Sequence, residues 1–204
     1  MHTDVSNIKI NLTLDILNLR NDGYHNIDSL FLEVDYGDKI SFDPTSAFPI
    51  KVKGFDVPED DSNLVCRAHA LFCEHFGIKR EGGFHLCKKI PPGSGFGSGS
   101  SNAWSVFRIL SNFYGLKIDN DDLQRIATKI GSDVFYFSQG GACRVSAWVK
   151  TLKRFKLKMK VCKLYLALLM NLSLHLMHMD GGIFQVSKAA TAPIHSFPIL
   201  QFLN

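Results

Sequence analysis

IPPGSGFGSGSSN, residues 90–102, governs how this chain is expected to fold. Four glycines and four serines occupy eight of nine consecutive positions of the stretch, and such small or polar residues bring almost no apolar surface to a core. The segment before it, residues 83–90, alternates apolar and polar side chains and predicts a strand. Residues 103–114 place apolar side chains at helical spacing. The stretch is therefore predicted to be a loop between a strand and a helix N-terminus.

A glycine-rich loop in this position predicts an anion site, with phosphate as the expected anion. Glycine at alternate positions lets the backbone take positive φ and lets other groups approach closely. Successive amides and the positive end of the helix dipole then point at one place. A Walker loop does not fit, because no lysine stands between Gly93 and Trp104. A dinucleotide-binding G-x-G-x-x-G fingerprint does not fit either, because one that begins at Gly95 has Ser100 in place of its third glycine. A flexible linker is the alternative.

The composition indicates a globular protein and divides the chain in two. The 204 residues are 46% hydrophobic and 21% charged, which suits one or two domains. Residues 1–147 hold 15 Lys/Arg and 18 Asp/Glu, a net charge of −3, whereas residues 148–204 hold 8 Lys/Arg and one acid, a net charge of +7. This step predicts a domain boundary. An odd number of cysteines, five, and an N-terminus without a signal-peptide pattern favour a cytoplasmic location with reduced thiols.

Two polar side chains share one face of the first predicted strand. Apolar residues alternate from Ile8 to Leu14, so Lys9 and Asn11 project together from the other face. A solvated strand face is one interpretation. The lining of a substrate cleft is the other.

Two further segments each permit a structural or a functional interpretation. Residues 20–25, Arg-Asn-Asp-Gly-Tyr-His, predict a turn between the first strand and a strand at residues 27–34, and His25 is either structural or a ligand contact. Asp133 stands between a predicted helix at residues 119–130 and a very apolar run, where a carboxylate needs a partner. A capping or salt-bridged aspartate is the structural interpretation.

The remaining pattern predicts ordinary elements. Strands are expected at residues 30–34 and 39–42, separated by residues 36–38, and a third at residues 50–55. A helix is expected to begin at an N-cap on Ser62 and to end at Gly77, while Asp119 or Asn120 caps the helix at 119–130. Cys66, Cys73 and His69 could be metal ligands, but packing is the favoured interpretation because free cysteine is commonly buried.

Four motifs in order resemble the superfamily of galactokinase, homoserine kinase, mevalonate kinase and phosphomevalonate kinase (GHMP kinases). They are Lys-Ile-Asn-Leu at residues 9–12, Arg-x-Asp-Gly-Tyr-His at 20–25, the glycine loop at 91–103, and the segment from Asp133 through the Gly-Gly-x-x-Arg-Val run at 140–145. The second motif and the loop are most similar to the 4-diphosphocytidyl-2-C-methyl-D-erythritol kinases. Two departures are Asn7-Ile8 for the usual Pro-Ala, and Phe135 for a proline.

The resemblance implies an enzyme that transfers a phosphoryl group from ATP, with Mg²⁺, to the 2-hydroxyl of 4-diphosphocytidyl-2-C-methyl-D-erythritol, in the non-mevalonate route to isoprenoid precursors. It implies that Lys9 and Asp133 are catalytic and that Asn11, Tyr24 and His25 contact the substrate. No protein metal ligand is assigned. The ATP contacts implied by the loop motif are Pro92, Gly93, Gly95, Gly97, Ser98, Gly99, Ser100, Ser101 and Asn102.

The fold implied is α+β, with a GHMP-kinase N-terminal domain (ribosomal protein S5 domain 2-like) at residues 1–147 and a partial second α/β-sandwich domain at 148–204. The match weakens beyond Ser146, and a third glycine-rich motif found late in the family is absent from the sequence. The tail is therefore interpreted first as truncated or frame-shifted. There are two alternatives, a shortened working domain and a membrane-associated segment at residues 164–179. Nucleic-acid binding by the basic run at residues 150–163 is not favoured, because no regular aromatic pattern accompanies it.

Two other functions stay open at the level of sequence. One is a catalytically inactive nucleotide-binding remnant, and the other is a GHMP kinase that acts on a different small alcohol. The Asp-Gly-Tyr-His sequence at residues 22–25 argues against the latter.

Overall fold

The computed structural model describes residues 2–19, 25–131, 133–147 and 151–155. Within these ranges a six-stranded sheet packs against helices, which confirms the predicted α+β class. The elements in chain order are β1 (His2–Leu19), β2 (His25–Asp43), β3 (Ile50–Gly54), α1 (Leu64–Phe76), β4 (Gly83–Lys88), α2 (Ser98–Tyr114), α3 (Asn120–Ile130), α4 (Val134–Gln139), β5 (Ala142–Ala147) and β6 (Thr151–Phe155).

Strand β2 is the centre of the sheet because it pairs with three other strands. Antiparallel β1 pairs with it from residue 25 to residue 42. The opposite edge of β2 is divided, since residues 27–32 pair with β5 and residues 39–43 pair with β4. Strand β3 lies parallel to β4, and β6 lies antiparallel to β5. Strand β2 therefore positions both β4, which leads into the glycine loop, and β5, which follows Asp133 in the chain.

The sheet continues beyond the domain boundary proposed from composition. Strand β6 begins at Thr151 and pairs with β5, so these residues extend the sheet of the first domain. The division into two domains stays a prediction, and the tail segments discussed above, including residues 164–179, lie outside the described residues. No helix in the described part of the chain is long and apolar enough to span a bilayer.

The prediction of separate strands at residues 30–34 and 39–42 is wrong, because β2 is one continuous strand. It absorbs residues 35–36 as a bulge, with Val34 opposite Ile8 and Gly37 opposite Asn7. The backbones approach very closely at this point. A Cβ atom on Gly37 would lie 1.8 Å from the carbonyl oxygen of Ser6, so the glycine marks a bulge and not a break between strands.

The helix boundaries follow the sequence signals with one correction. The N-cap of α1 is Asn63, not Ser62, because the Asn63 side chain accepts a hydrogen bond from the Val65 amide at 2.9 Å. Gly77 ends that helix in the left-handed conformation as predicted, with φ of 63°. Asp119 caps α3 by accepting a hydrogen bond from the Asp122 amide at 2.8 Å.

The main core lies between the sheet and helices α1, α2 and α3. Cys66 and Cys73 are buried free thiols of this core, and His69 makes edge-to-face contacts with the rings of Phe42 and Phe84. No cluster of metal-ligating side chains is found among the described residues. All three side chains are buried in the core. The largest fully buried side chains are Phe31, Phe42, Phe72, Phe84, Phe107 and Tyr136.

Candidate active site

The glycine loop connects β4 to α2, as the sequence predicts. Gly93, Gly95 and Gly97 take φ values of 74°, 77° and 69°, in the region that favours glycine. Helix α2 begins at Ser98, four residues before the end of the quoted stretch, so Ser98–Asn102 form its first turn and a half. Gly97 occupies the N-cap position, and no side chain caps this helix. Its first-turn amides, which lack intrahelical acceptors, form a ready site for an anion.

The loop is held in place and is not a flexible linker. Phe96 is 7% exposed and packs with Ile8, Val34 and Ile90 in a small cluster of its own. Its carbonyl oxygen accepts a hydrogen bond from the Lys9 amide at 3.0 Å, and the hydroxyl of Ser94 donates to the carbonyl of Pro91 at 2.8 Å. The first strand is thereby joined directly to the loop.

Lys9 is buried, and its ammonium group has three electron-rich neighbours. The Nζ atom donates to Oδ1 of Asn11 at 2.6 Å, lies 3.7 Å from Oδ2 of Asp133, and lies 4.3 Å from the centre of the Phe31 ring. Burial lowers the pKa of Lys9, and the nearby Asp133 carboxylate opposes that shift. A solvated strand face is therefore the wrong interpretation of Lys9.

Asp133 brings a carboxylate to the start of α2. It occupies the position before α4, and its Oδ2 atom is so close to Gly97 that a Cβ atom placed there would lie 3.3 Å from it. The same Oδ2 atom faces Lys9. A candidate base, a cation and the N-terminus of a helix thus meet at one point, although Lys9 and Asp133 lie far apart in the sequence.

Asn11 is fixed by its own partners. Its Nδ2 group donates to the hydroxyl of Ser29 at 3.3 Å while its Oδ1 accepts from Lys9. Because both ends of the amide are engaged, Asn11 orients the ammonium of Lys9 in this structure.

The loop residues assigned to ATP differ in exposure. Ser101 and Asn102 are almost completely buried, at 1% and 2% exposure, and Oδ1 of Asn102 has no hydrogen-bond partner among the described residues. Ser100 and Gly99 are half-buried, and Ser98 is 6% exposed. Those exposed to solvent are Pro92, Gly93 and Gly95.

Of the two residues expected to contact the far end of the substrate, only His25 is described, and it lies away from this cluster. Tyr24 lies outside the described residues. His25 is exposed at the start of β2, opposite Leu19. Glu33, the residue opposite Lys9, lies eight residues further along β2, or about 25 Å of extended strand. The roles of Tyr24 and His25 stay predictions.

A buried ion pair beneath the loop was missed by the sequence analysis. Nζ of Lys88 lies 2.5 Å from Oδ2 of Asp38 and donates to the hydroxyl of Ser98 at 2.9 Å. The Lys88 and Asp38 side chains are 4% and 0% exposed. The signal was present, because Lys88 shares the strand face of Phe84 and Leu86, and a lysine on a core face needs a partner.

Residues 63–141 match the family model described as GHMP kinases N terminal domain. The described part of the chain has the fold of a GHMP kinase N-terminal domain. A crystal structure described as 4-(cytidine 5'-diphospho)-2C-methyl-D-erythritol kinase superposes with a TM-score of 0.62 at 28% identity, over 80% of this chain and 62% of that one. A D-glycero-D-manno-heptose 1-phosphate kinase from Bacteriodes thetaiotaomicron, at 14% identity and a TM-score of 0.56 over 76% and 59% of the two chains, shares the fold alone.

Two proteins similar in sequence to this chain share one enzyme name. A protein from Chlorobium phaeovibrioides named 4-diphosphocytidyl-2-C-methyl-D-erythritol kinase is 41% identical over 129 residues, which are 63% of this chain and 44% of that protein. One of the same name from Methylacidiphilum infernorum is 40% identical over 131 residues, which are 63% and 46% of the two chains. The chain spans somewhat less than half the length of these relatives.

Proposed function

We propose that this chain takes part in ATP-dependent phosphorylation of the 2-hydroxyl of 4-diphosphocytidyl-2-C-methyl-D-erythritol, as a cytoplasmic small-molecule kinase. The observation that supports this best is the meeting of Asp133, Lys9 and the start of α2. Oδ2 of Asp133 is 3.7 Å from Nζ of Lys9 and lies beside Gly97. The names of the relatives support the choice of substrate.

In the proposed reaction Asp133 accepts the proton of the attacking hydroxyl. As that O–H bond breaks, the hydroxyl oxygen forms a bond to the γ-phosphorus of ATP, and the bond from the γ-phosphorus to the oxygen that bridges it to the β-phosphate breaks to leave ADP. Lys9, held by Asn11 and packed over Phe31, stabilises the negative charge of the phosphoryl group in transfer. Each group is positioned before substrate arrives, so little reorganisation is required.

The N-terminus of α2 is proposed to hold the phosphates. Its first-turn amides and the loop backbone supply neutral donors, while the hydroxyls of Ser100 and Ser101 supply further contacts. Mg²⁺ is commonly bound by substrate phosphates together with one or two protein oxygens, and the hydroxyls of Ser100 and Ser101 are oxygen donors that would suit it. When bound, Mg²⁺ neutralises charge on the phosphates.

Turnover by the purified 204-residue chain tests the proposal. The chain is incubated with Mg-ATP and 4-diphosphocytidyl-2-C-methyl-D-erythritol, beside Asp133→Asn, which keeps the size of the side chain but loses the base. We expect the variant to lower kcat by about 10²–10⁴-fold and to bind nucleotide as the unaltered chain does.

A panel of other small alcohols, including homoserine and mevalonate, tests the choice of substrate. Faster turnover of one of these would overturn the substrate assignment alone. A folded chain that binds nucleotide and shows no turnover above Asp133→Asn would overturn the kinase assignment and leave a nucleotide-binding remnant.

A further inference from the structure

We propose that the buried Lys88–Asp38 ion pair positions the hydroxyl of Ser98 as a hydrogen-bond donor to a nucleotide phosphate. The inference rests on the proposed function, since it assigns two positioning residues to the same phosphate site. Neither residue belongs to the motifs quoted above for the family resemblance, and both lie beneath the loop, not on its surface.

The ion pair joins the two ends of the glycine loop. Oδ1 of Asp38 accepts hydrogen bonds from the amides of Lys89 and Ile90, at 2.7 Å and 2.9 Å, just where the chain enters the loop. Oδ2 of the same carboxylate contacts Nζ of Lys88, which in turn reaches Ser98 at the first position of α2. A single carboxylate and a single ammonium thus connect the entrance of the loop to its exit.

The chemistry of the ammonium group determines the direction of the Ser98 hydrogen bond. A charged lysine has three donors and no acceptor, so Oγ of Ser98 must accept from Lys88. The hydroxyl hydrogen of Ser98 is then left to point elsewhere as a donor. Ser98 stands at the N-terminus of α2, where an anion is expected, and a phosphate oxygen is the acceptor that this donor suits.

Burial makes a purely stabilising role a poor explanation of the pair. Two charges removed from water lose hydration energy that their attraction often only balances, and well-packed apolar residues can replace such pairs without loss of stability. Burial also lowers the pKa of Lys88, against the opposing effect of Asp38. The ion pair lies directly under the glycine loop, and its hydrogen bonds to Ser98 and to the amides of Lys89 and Ile90 hold both ends of the loop in position.

A charge-neutral double variant, Asp38→Asn with Lys88→Met, tests the proposal in the full chain. The side-chain carbonyl that Asp38→Asn leaves in place can still accept from both loop amides, and the net charge of the protein is unchanged. Affinity for the Mg²⁺ complex of adenosine 5′-(β,γ-imido)triphosphate is measured by calorimetry, and the melting temperature is measured alongside. We expect affinity to fall about tenfold, the value of one hydrogen bond to a charged group, while the chain stays folded.

Ser98→Ala separates positioning from general support of the loop. If Lys88 acts through Ser98, the Ser98→Ala variant weakens binding by a similar factor, and adding the double variant to it causes no further loss. If the affinity losses of Ser98→Ala and of the double variant multiply when the changes are combined, the proposal is overturned. Unchanged affinity in the folded double variant would overturn it as well. The matched control is Lys89→Met, an exposed neighbour whose change is expected to leave affinity within about twofold.

A second variant applies if Lys88→Met prevents folding. Asp38→Asn with Lys88→Gln keeps a donor in place of the ammonium, and we expect a smaller loss of affinity that again disappears in the Ser98→Ala background. A loss that persists there contradicts the proposal. If the unaltered chain fails to bind the nucleotide analogue, the proposed function falls and this inference with it, whereas binding that is insensitive to all of these changes overturns this inference alone.

Discussion

Lys9 combines a buried position with a nearby carboxylate, and the balance between them has a measurable consequence. Burial lowers the pKa of its ammonium group, and Asp133 recovers only part of the shift. Lys9 therefore loses its proton at a lower pH than an exposed lysine, whose pKa is about 10.4. The proposed role of Lys9 needs the charged form, so activity should fall as the pH rises through this lowered pKa.

The pH dependence of kcat/KM tests this expectation. We expect an alkaline limb in the profile of the unaltered chain, and we expect Lys9→Arg, whose guanidinium stays charged, to remove that limb whatever its effect on the rate at neutral pH. Lys51→Arg, at an exposed position, is the control and should keep the limb. An alkaline limb that persists in Lys9→Arg would assign it to another group.

Gly97 couples the backbone of the loop to Asp133. Alanine at this position must adopt φ of 69°, and its Cβ would lie 3.1 Å from the Phe137 ring and 3.3 Å from Oδ2 of Asp133. Gly97→Ala is expected to cost about 1 kcal/mol in the free energy of unfolding and to weaken nucleotide binding. Gly77→Ala is the matched control, because φ is 63° there, no atom lies within 4 Å of the added Cβ, and the position ends α1 away from the loop.

Denaturant unfolding and calorimetric binding separate the two effects. Both variants should lose stability, and only Gly97→Ala should lose affinity. Equal affinities for the nucleotide in the two variants would show that close packing at Gly97 has no part in the site.

At the scale of elements, the sequence predicts local patterns better than it predicts pairing. The apolar stripe of α3 and its Asp119 cap depend on neighbouring residues, so the 3.6-residue period was enough to find them. The continuity of β2 depends on β1, which accommodates the bulge at residues 35–36. A tyrosine, a glycine and an aspartate in a row resemble a turn when that partner strand is not known.

The Asp119 cap is expected to contribute measurably to α3. Asp119→Ala leaves the Asp122 amide without its acceptor and should lower the free energy of unfolding by about 1 kcal/mol. Asp121→Ala removes the same charge from the same turn without removing a capping bond, so its cost should be only a few tenths of a kcal/mol. Urea unfolding of both variants checks this order. Equal losses would mean that charge, not the capping bond, supports the helix.

At the scale of the whole molecule, motifs in the sequence predicted the fold and most residues of the candidate site, and the sequence missed what those motifs do not contain. Lys9, Asn11 and Asp133 were found because each lies in a recognisable segment. Lys88 and Asp38 lie 50 residues apart in the chain, and only tertiary packing brings them together. The same holds for His69, for which the sequence favoured packing but did not indicate that its ring nitrogens would lack hydrogen-bond partners among the described residues.

His69 is expected to make the protein sensitive to acid. It is fully buried, neither ring nitrogen has a partner among the described residues, and burial lowers its pKa from 6.5 to about 4. As the pH falls below 6.5 the unfolded chain binds a proton that the folded chain does not, until the pH nears 4. The free energy of unfolding should therefore fall by about 1.4 kcal/mol per pH unit across this window.

Comparison of the unaltered chain with His69→Leu isolates this contribution. Urea unfolding is measured at about pH 7 and about pH 5, where other titrating groups affect both proteins alike. We expect the loss of stability between the two pH values to be smaller in His69→Leu by about 2 kcal/mol. The same loss in both proteins would mean that His69 is protonated without cost in the folded state.

Because one edge of β2 pairs with both β4 and β5, that edge is completed in two stages during synthesis of the chain. Strand β5 begins at Ala142, 99 residues after β2 ends at Asp43, so a ribosome adding about 5–20 residues per second requires roughly 5–20 s to supply it. During that time residues 27–32 of β2 have no partner strand on the edge that later pairs with β5. Ile16, Leu17 and Leu19 of β1 are exposed even in the complete fold. The nascent chain therefore exposes an apolar two-stranded hairpin early, and Asp133 is synthesised after both Lys9 and the glycine loop.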